Sequence, residues 1–326
     1  MPCTGPAGAD GRRCRAAGSA HRAPGAGRTG RATTVDVVPE LPEVETITRQ
    51  LRPHLEGRVV EGVEILDPRW CAPDDAAGTE EALTGRRLLR LDRRGKHVAW
   101  RTDGGTLLLH LRMTGTLLVG ADADVPYQRV VLALDDGTVV RFCDPRRFGT
   151  GRWFDDDAAA TAYLDDRLGP EPLGDAFDGA ALHEAVRRRR SPIKALLLDQ
   201  LVVAGVGNIY ADEALFFARI HPQRPGDRLT RAQCTALAEG VRVSLQHGIA
   251  SGGATIDDFR HVDGVEGWFQ NDFQVHRRAG LPCPACGAPV IKRVVAGRGT
   301  YSCDRCQPRP RARRTTAPGL RPRRAP

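Results

Sequence analysis

Apolar residues recur at helical spacing just after the sequence Pro39-Glu40-Leu41-Pro42. Val44, Ile47 and Leu51 fall on one face of a helix. Glu43 and Glu45 suit the positive end of the helix dipole. Pro42 fits the start of a helix because a proline there loses no hydrogen bond. The sequence therefore predicts an amphipathic helix that begins next to Pro39.

β-Structure is predicted next, before the pattern returns to helices. Residues 107–118, 130–134 and 139–142 have the composition of strands, and Asp136-Gly137 is typical of a hairpin turn. The Gly- and Pro-containing segment 168–173 predicts a linker. Helical spacing follows in four segments, near residues 180–190, 194–203, 209–218 and 229–247. The expected fold class is α+β with more than one domain.

Both ends of the chain depart from this pattern. Residues 1–38 and 307–326 contain few large apolar side chains, so we expect a disordered leader and a disordered basic tail. Nowhere is there an apolar run long enough to cross a membrane. The leader has six Arg against two Asp and the tail has seven Arg and no acid, so the overall charge of +8 leaves −3 on residues 39–306. Nucleic-acid binding therefore has to be argued from local basic clusters, at 187–190 and 276–306.

Four of the nine cysteines have the spacing of zinc ligands. Cys283 and Cys286 are separated from Cys303 and Cys306 by 16 residues. Four thiolates in this pattern bind Zn²⁺ tetrahedrally, and such a closed site is structural. The odd number of cysteines also favours free thiols in a reducing compartment over a disulfide framework. We expect one structural Zn²⁺ in a small hairpin module.

Two short motifs suit contact with DNA, although each has a plainer interpretation. The segment 144–149, Asp-Pro-Arg-Arg-Phe-Gly, presents an arginine and an aromatic residue that could fill the hole left by an extruded base. Alternatively, Phe148 packs on the sheet beneath it. Residues 205–210 form a glycine turn that opens a helix, where backbone N–H groups bind phosphate, but an ordinary interhelical turn fits equally well. Met113 lies on a predicted strand that could face the same cleft.

Together these motifs resemble the formamidopyrimidine-DNA glycosylase family, bacterial enzymes that remove oxidised purines from DNA. The resemblance runs from Pro39 to Cys306 and includes the four cysteines and residues 39–46, 94–96, 110–115, 144–149, 168–173 and 205–210. It implies an N-terminal β-sandwich with flanking helices at 39–170, a helix–two-turn–helix domain at 171–272 and a zinc finger at 273–306. It also implies a base-excision-repair glycosylase with abasic-site lyase activity on 8-oxoguanine and formamidopyrimidines. Such an enzyme would act on damaged double-stranded DNA as a cytoplasmic, nucleoid-associated monomer without membrane contact.

The same resemblance assigns roles to particular residues. Pro39 would attack C1′ of the damaged nucleotide, and the resulting iminium would drive β- and then δ-elimination. Glu40 would move protons at the sugar, Lys96 would assist β-elimination, and Arg298 would grip phosphate and assist δ-elimination. Contacts with DNA are implied for Met113, Tyr127, Arg146, Phe148, Arg189 and Asn208. Tyr127 stands where the family usually has a DNA-contacting histidine, and His276 where a tyrosine is common. Residues 262–268 correspond to a loop over the everted base.

Pro39 could act in this way only as the first residue of the mature protein. Within a chain its nitrogen is an amide, whereas at a free N-terminus it is an amine with a pKa near ~8, partly neutral at pH 7. We expect translation to start at Val38, read as methionine and then removed. The alternatives are a targeting peptide cleaved at this bond, or an extension retained on an inactive relative.

Two other functions stay open on the sequence. The first is an endonuclease VIII-like glycosylase, a related enzyme that prefers oxidised pyrimidines. Leu41 and the set of Met113, Arg146 and Phe148 favour the enzymes that act on oxidised purines. A zinc-containing DNA-binding protein without catalysis would result if the leader masks Pro39. Borohydride trapping separates these classes, because only an enzyme that forms an iminium becomes linked to DNA.

Overall fold

The computed structural model describes residues 38–120, 123–255, 262 and 266–310. The predicted leader up to residue 37, the tail from residue 311 and residues 263–265 of the loop at 262–268 lie outside these residues. Within the described part, no helix is long and apolar enough to span a membrane.

Two four-stranded antiparallel sheets form the N-terminal part. The strands are β1 (Val60–Ile65), β2 (Leu88–Arg94), β3 (His97–Thr102), β4 (Gly105–His110), β5 (Thr116–Val119), β6 (Gln128–Leu134), β7 (Val139–Cys143) and β8 (Thr150–Phe154). Their orders are β1-β6-β7-β5 and β2-β3-β4-β8. Buried residues of both sheets share one core, Trp100 and Leu107 from one and Leu132 and Phe142 from the other. The predicted β-sandwich is confirmed, and so is the hairpin at Asp136-Gly137, where Gly137 has φ 81°.

The prediction of a single strand over residues 107–118 was wrong. β4 ends at His110 and β5 begins at Thr116, and the two strands belong to different sheets. Arg112, with φ 56°, turns the chain between them. The apolar pattern hides this change because both strands face the same core. Met113 therefore lies on a turn and not on a strand.

Three helices flank the sandwich: α1 (Leu41–Leu55), α2 (Ala76–Leu83) and α3 (Asp157–Asp165). Helix α1 confirms the predicted amphipathic helix, because Val44, Ile47 and Leu51 are fully buried against the sheets. Helix α3 covers the outer face of β3 and β4, where Leu164 packs with Leu108. The two short helices α2 and α3 were not predicted.

The next part is helical, with α4 (Gly179–Val186), α5 (Ile193–Leu198), α6 (Asn208–Phe217) and α7 (Arg231–Ala250). All four predicted segments contain a helix, but the one expected at 194–203 ends at Leu198, since Asp199 is extended with ψ 109°. The segment 168–173 has neither helix nor strand, and Gly169 N–H donates to the Gln200 carbonyl. The core of this part also includes Leu41 of α1 and Phe269, so it is packed against the start of the chain's first helix.

A small hairpin completes the described structure. Strands β9 (Ile291–Val295) and β10 (Arg298–Ser302) pair antiparallel, with Arg298 opposite Val295. Their core consists of Tyr301, Val290 and the cysteines, and Phe216 of α6 packs against it. These residues confirm the predicted hairpin, and they place Arg298 at its first paired position.

Candidate active site

A cavity of about 610 Å³ lies where the sandwich, the helical part and the hairpin meet. Six predicted site residues line it: Glu40, Lys96, Met113, Phe148, Asn208 and Arg298. They come from six separate segments of the chain, so only the tertiary fold brings them together. Tyr127, Arg146 and Arg189 do not line the cavity.

Pro39 is buried beside the cavity, and Val38, which is bonded to its nitrogen, forms part of the cavity wall. In a chain that contains Val38 this nitrogen is a tertiary amide without a free electron pair. If the chain began at Pro39, a secondary amine would stand at the wall instead.

The Glu40 carboxylate lies at the N-terminus of α6. Its oxygens accept hydrogen bonds from the N–H groups of Gly207 and Ile209, each at 2.8 Å, and of Tyr210 at 3.4 Å. Burial raises the pKa of Glu40 to about 7, although the nearby Lys96 ammonium opposes this shift. A carboxyl group with this pKa can both give and take a proton at neutral pH.

These contacts correct the expectation that the backbone of residues 205–210 binds phosphate. The N–H groups at the start of α6 are occupied by Glu40. Gly207 is required because a Cβ there would lie 2.6 Å from Glu40 Cγ, and Gly205, with φ 80°, would bring a Cβ to 2.7 Å from Leu41 Cβ. The glycines therefore let α1 and its glutamate approach α6 closely.

Glu43 supports Glu40 from one turn further along α1. Its Oε2 accepts the Glu40 N–H at 2.9 Å, and its Oε1 accepts the Tyr210 hydroxyl at 2.7 Å and the Ala254 N–H at 2.8 Å. Burial raises the pKa of Glu43 as well. Sequence reasoning gave this residue only a helix-dipole role, because its partners are far away in the chain.

Lys96 follows Gly95, which has φ 58°, in the tight β2–β3 turn. Within the described chain its ammonium makes no hydrogen bond. Burial lowers the pKa of Lys96, while Glu40 and Glu43 oppose that shift and Arg298 adds to it. The lowered pKa makes a neutral amine, and hence proton removal, more accessible.

Two histidines in the cavity wall were missed as site residues. The rings of His97 and His110 meet edge to face at 4.6 Å between centroids. Burial lowers both pKa values, that of His97 to about 4, so both rings are neutral at pH 7. Their signals were adjacency to Lys96 and a place in the motif 110–115.

The residues expected to enter DNA lie on loops, and two of them, Met113 and Phe148, line the cavity. Phe148 is 49% exposed, so the plainer interpretation, in which it packs on the sheet, was wrong. The Arg146 guanidinium carbon lies 5.1 Å from the Phe148 ring centroid. Tyr127 is 56% exposed and has φ 65°.

A buried ion pair attaches the hairpin beside the cavity. Lys194, fully buried, lies 2.7 Å from Asp212 of α6 and donates to the Gly299 carbonyl at 3.1 Å. That carbonyl also accepts the Asn208 side chain at 3.1 Å. His276 contacts the other Asp212 oxygen at 3.0 Å. Because Gly299 follows Arg298 directly, this network fixes where the arginine enters the cavity.

The arginines of the cluster at 187–190 are largely paired with acids. Arg189 lies 2.8 Å from Asp199, and Arg190 is 3.9 Å from Asp227. Arg187 bonds Glu184 one helical turn away. This pairing weakens the argument that the cluster is by itself a basic surface for DNA.

The four predicted ligand cysteines converge at the hairpin. Their sulfur atoms all lie within 4.8 Å of one another. Cys283 and Cys306 are 3.8 Å apart, and Cys286 and Cys303 are 3.5 Å apart. Sulfurs bound tetrahedrally to one Zn²⁺ are about 3.8 Å apart, so the cluster fits a metal ion of this kind.

Known proteins match this chain over most of the residues that the structure describes. Family models match residues 38–151 (formamidopyrimidine-DNA glycosylase N-terminal domain), 168–260 (its H2TH domain) and 280–309 (a zinc finger found in FPG and IleRS). The formamidopyrimidine-DNA glycosylase of Alkalilimnicola ehrlichii is 46% identical over 280 residues, 83% of this chain and 100% of that one. That of Neisseria meningitidis is 41% identical over 278 residues, with the same coverage.

Solved structures agree with this assignment. MutM (FPG) from Thermus thermophilus superposes with a TM-score of 0.74 at 44% identity, covering 82% of this chain and 98% of its own. Lactococcus lactis Fpg in complex with abasic-site DNA gives 0.77 at 34%, covering 83% and 100%. The sandwich, the H2TH helices and the zinc finger around one cavity define a DNA-binding repair enzyme. The chain belongs to the formamidopyrimidine-DNA glycosylase family.

Proposed function

We propose that this chain excises oxidised purines, 8-oxoguanine and formamidopyrimidines, from double-stranded DNA and then cuts the strand at the abasic site. The observation that carries the proposal is Pro39 between two residues of the cavity wall, Val38 and Glu40, the second a buried glutamate with a pKa of about 7. Support also comes from Lactococcus lactis Fpg, which has been crystallised with abasic-site DNA and with Fapy-dG-containing DNA. The proposal requires a mature chain that begins at Pro39, and the family match starts at residue 38.

The first step is attack by the Pro39 amine on C1′ of the damaged nucleotide. The bond from C1′ to the base breaks, and the base leaves with its electron pair and takes up a proton. The proline nitrogen then loses its proton, and its electron pair forms the iminium as the bond from C1′ to O4′ breaks. Glu40 supplies the proton that O4′ needs, which its raised pKa allows near neutral pH.

The iminium then accepts electrons during strand cleavage. Loss of a C2′ proton breaks the bond to the 3′ phosphate, and a second elimination breaks the bond to the 5′ phosphate. Lys96, which lines the same cavity as Glu40, suits removal of the first proton in its neutral form. Arg298 suits stabilisation of the departing phosphate, because a guanidinium group can bond two phosphate oxygens and the residue lines the same cavity.

The remaining predicted residues are assigned to DNA contact. Phe148, Arg146 and Met113 would fill the space that the extruded base leaves, and Tyr127 would reach a nearby phosphate. Asn208 would grip phosphate beside Arg298, after exchanging its bond to the Gly299 carbonyl. Arg189 would contact phosphate at the cost of its ion pair with Asp199. We assign these roles to one monomer acting on nucleoid DNA, with domains at 39–170, 171–272 and 273–306.

We assign one structural Zn²⁺ to the four cysteines. The ion would tie both ends of the hairpin together and so hold Arg298 in place. We expect elemental analysis to find one zinc per chain and a strong chelator to lower affinity for DNA by about tenfold or more, because the hairpin loses its fold. Affinity should return when zinc is added back. Full DNA binding by the metal-free chain would contradict this assignment.

Substrate choice tests the proposed function against its close alternative. A chain beginning at Pro39 should release 8-oxoguanine from a duplex at least roughly tenfold faster than it releases an oxidised pyrimidine such as thymine glycol. The cut strand should carry phosphate on both sides of the gap, as expected for two eliminations. Faster release of thymine glycol would favour the endonuclease VIII-like function, and an intact strand after base release would exclude the lyase step.

A further inference from the structure

One buried carboxylate connects the loop that carries Met113 with the loop that carries Arg146 and Phe148. Asp144, fully buried just after β7, accepts the Arg146 N–H at 3.0 Å on Oδ1. Its Oδ2 accepts the N–H groups of Phe148 at 2.8 Å and Gly149 at 2.7 Å. The Thr114 hydroxyl donates to Oδ1 from the β4–β5 turn. Asp144 therefore bonds two loops that belong to different sheet connections.

The backbone of the same residue reaches a third loop. Asp144 N–H donates to the Tyr127 carbonyl at 2.9 Å, and its own carbonyl accepts the Arg129 side chain at 2.9 Å. Tyr127 ends the connection between β5 and β6. The three loops that carry Met113, Tyr127 and Phe148 are thus all bonded to one aspartate, the Tyr127 loop through the Asp144 backbone N–H.

Each of these loops needs such support, because each contains a strained residue. Arg112, Tyr127 and Arg147 have φ values of 56°, 65° and 61°, in the left-handed region that residues other than glycine rarely adopt. The β4–β5 and β7–β8 loops also both pack on the Phe142 ring. A Cβ at Gly115 would lie 2.9 Å from the tip of that ring, and a Cβ at Gly149 would meet the same ring. Strained conformations persist only where their surroundings fix them.

We propose that Asp144 is a positioning residue that holds Met113, Tyr127, Arg146 and Phe148 in one preformed arrangement for entry into DNA. The inference rests on the proposed function, since it assumes that these side chains replace an extruded base. Held separately, each loop would have to be ordered during base extrusion. Bonded to one carboxylate, the loops are ordered beforehand, which lowers the barrier to extrusion.

Two variants test this role, both in a chain that begins at Pro39. Thr114→Val removes the hydroxyl that donates to Asp144 and accepts the Arg146 N–H at 3.4 Å, and Asp144→Asn gives the backbone N–H groups a poorer acceptor. We expect kcat/KM for 8-oxoguanine in a duplex to fall about threefold and about tenfold, respectively. Cleavage of a preformed abasic site in a single strand, where no base has to leave a stack, should stay within about twofold of wild type. The control is Asp136→Asn, which alters an exposed turn in the same sheet and should change neither rate.

A second readout follows base extrusion directly. A fluorescent adenine analogue placed beside the lesion brightens when its stacking is disturbed, and Thr114→Val should slow that increase. Equal losses on the duplex and abasic substrates would show a role in folding alone and overturn the inference. Unchanged rates for both variants would overturn it as well, while leaving the proposed function intact. A wild-type chain that cuts neither substrate would overturn both.

Discussion

A chain that begins at Pro39 should become covalently linked to 8-oxoguanine-containing DNA in the presence of borohydride, whereas a chain that begins at Met1 should not. Borohydride reduces an iminium, and the Pro39 nitrogen can form one with the sugar only when it is a free secondary amine at the N-terminus. With Val38 attached, the nitrogen is an amide whose electron pair is delocalised into the carbonyl. We expect the yield of crosslink to fall by about 10³-fold or more in the longer chain, since the whole covalent route is removed. Denaturing gels measure the yield directly.

Binding without chemistry provides the control for this comparison. Both chains keep the hairpin and the loops, so they should shift a duplex containing a non-cleavable abasic analogue at similar concentrations. A chain that begins at Met1 and crosslinks as well as the shorter one would contradict the assignment of Pro39. Intact mass and N-terminal sequencing of the protein from its native host then decide which form exists. A mature chain starting at Met1 would leave the non-catalytic DNA-binding function as the better account.

Replacing Glu40 by glutamine should reduce 8-oxoguanine excision by about 10²- to 10⁴-fold, the usual contribution of a positioned acid or base. The glutamine side chain would keep the size of the original but could not give a proton to O4′. Its amide nitrogen would also face N–H groups of Gly207 or Ile209 that now donate to the carboxylate. Single-turnover assays measure the excision rate, and a gel shift checks that DNA binding is retained. A loss of less than about threefold would remove Glu40 from the mechanism.

The stability of the same two chains checks the electrostatic argument for Glu40. Burial raises its pKa from 4.5 to about 7, so the folded state binds this proton more tightly than the unfolded state does. The resulting stabilisation is complete below about pH 4.5 and is lost as the pH rises through about 7. Glutamine does not titrate, so the unfolding free energy of the Glu40→Gln chain lacks this pH dependence. As the pH rises from below 4.5 to above about 7, the unfolding free energy of wild type should fall by about 3 kcal/mol relative to that of the variant. Urea unfolding at several pH values measures the difference, and a constant difference would show that the pKa is not raised.

Local chemistry made several features of this protein predictable. Asp136-Gly137 sits in a hairpin turn because few other residues tolerate its geometry, and Gly137 has φ 81°. The spacing of the two Cys-x2-Cys pairs is typical of zinc ligands, and all four sulfurs lie within 4.8 Å of one another. Helix α1 follows from apolar residues one turn apart. Each of these signals lies within a few tens of residues.

Features built from distant segments were mispredicted or missed. The strand expected at 107–118 divides between two sheets, which the apolar pattern does not show because both halves face one core. Lys194 has no signal in its local sequence, yet it joins α5 to α6 and the hairpin. Asp144 belongs to a recognised motif, but its bond to Thr114 depends on how two sheets meet.

By itself, the sequence determined the metal-binding module, the first helix, the main hairpin and, through several motifs in order, the family. Only the tertiary structure decided that Glu40 is buried against α6, that its pKa lies near 7, and that Gly207 has to be a glycine. The physical reason is range. Turn geometry, helical spacing and ligand spacing act over a few residues, whereas burial and charge depend on every segment that packs around a group. The chemistry of this site belongs to the second kind.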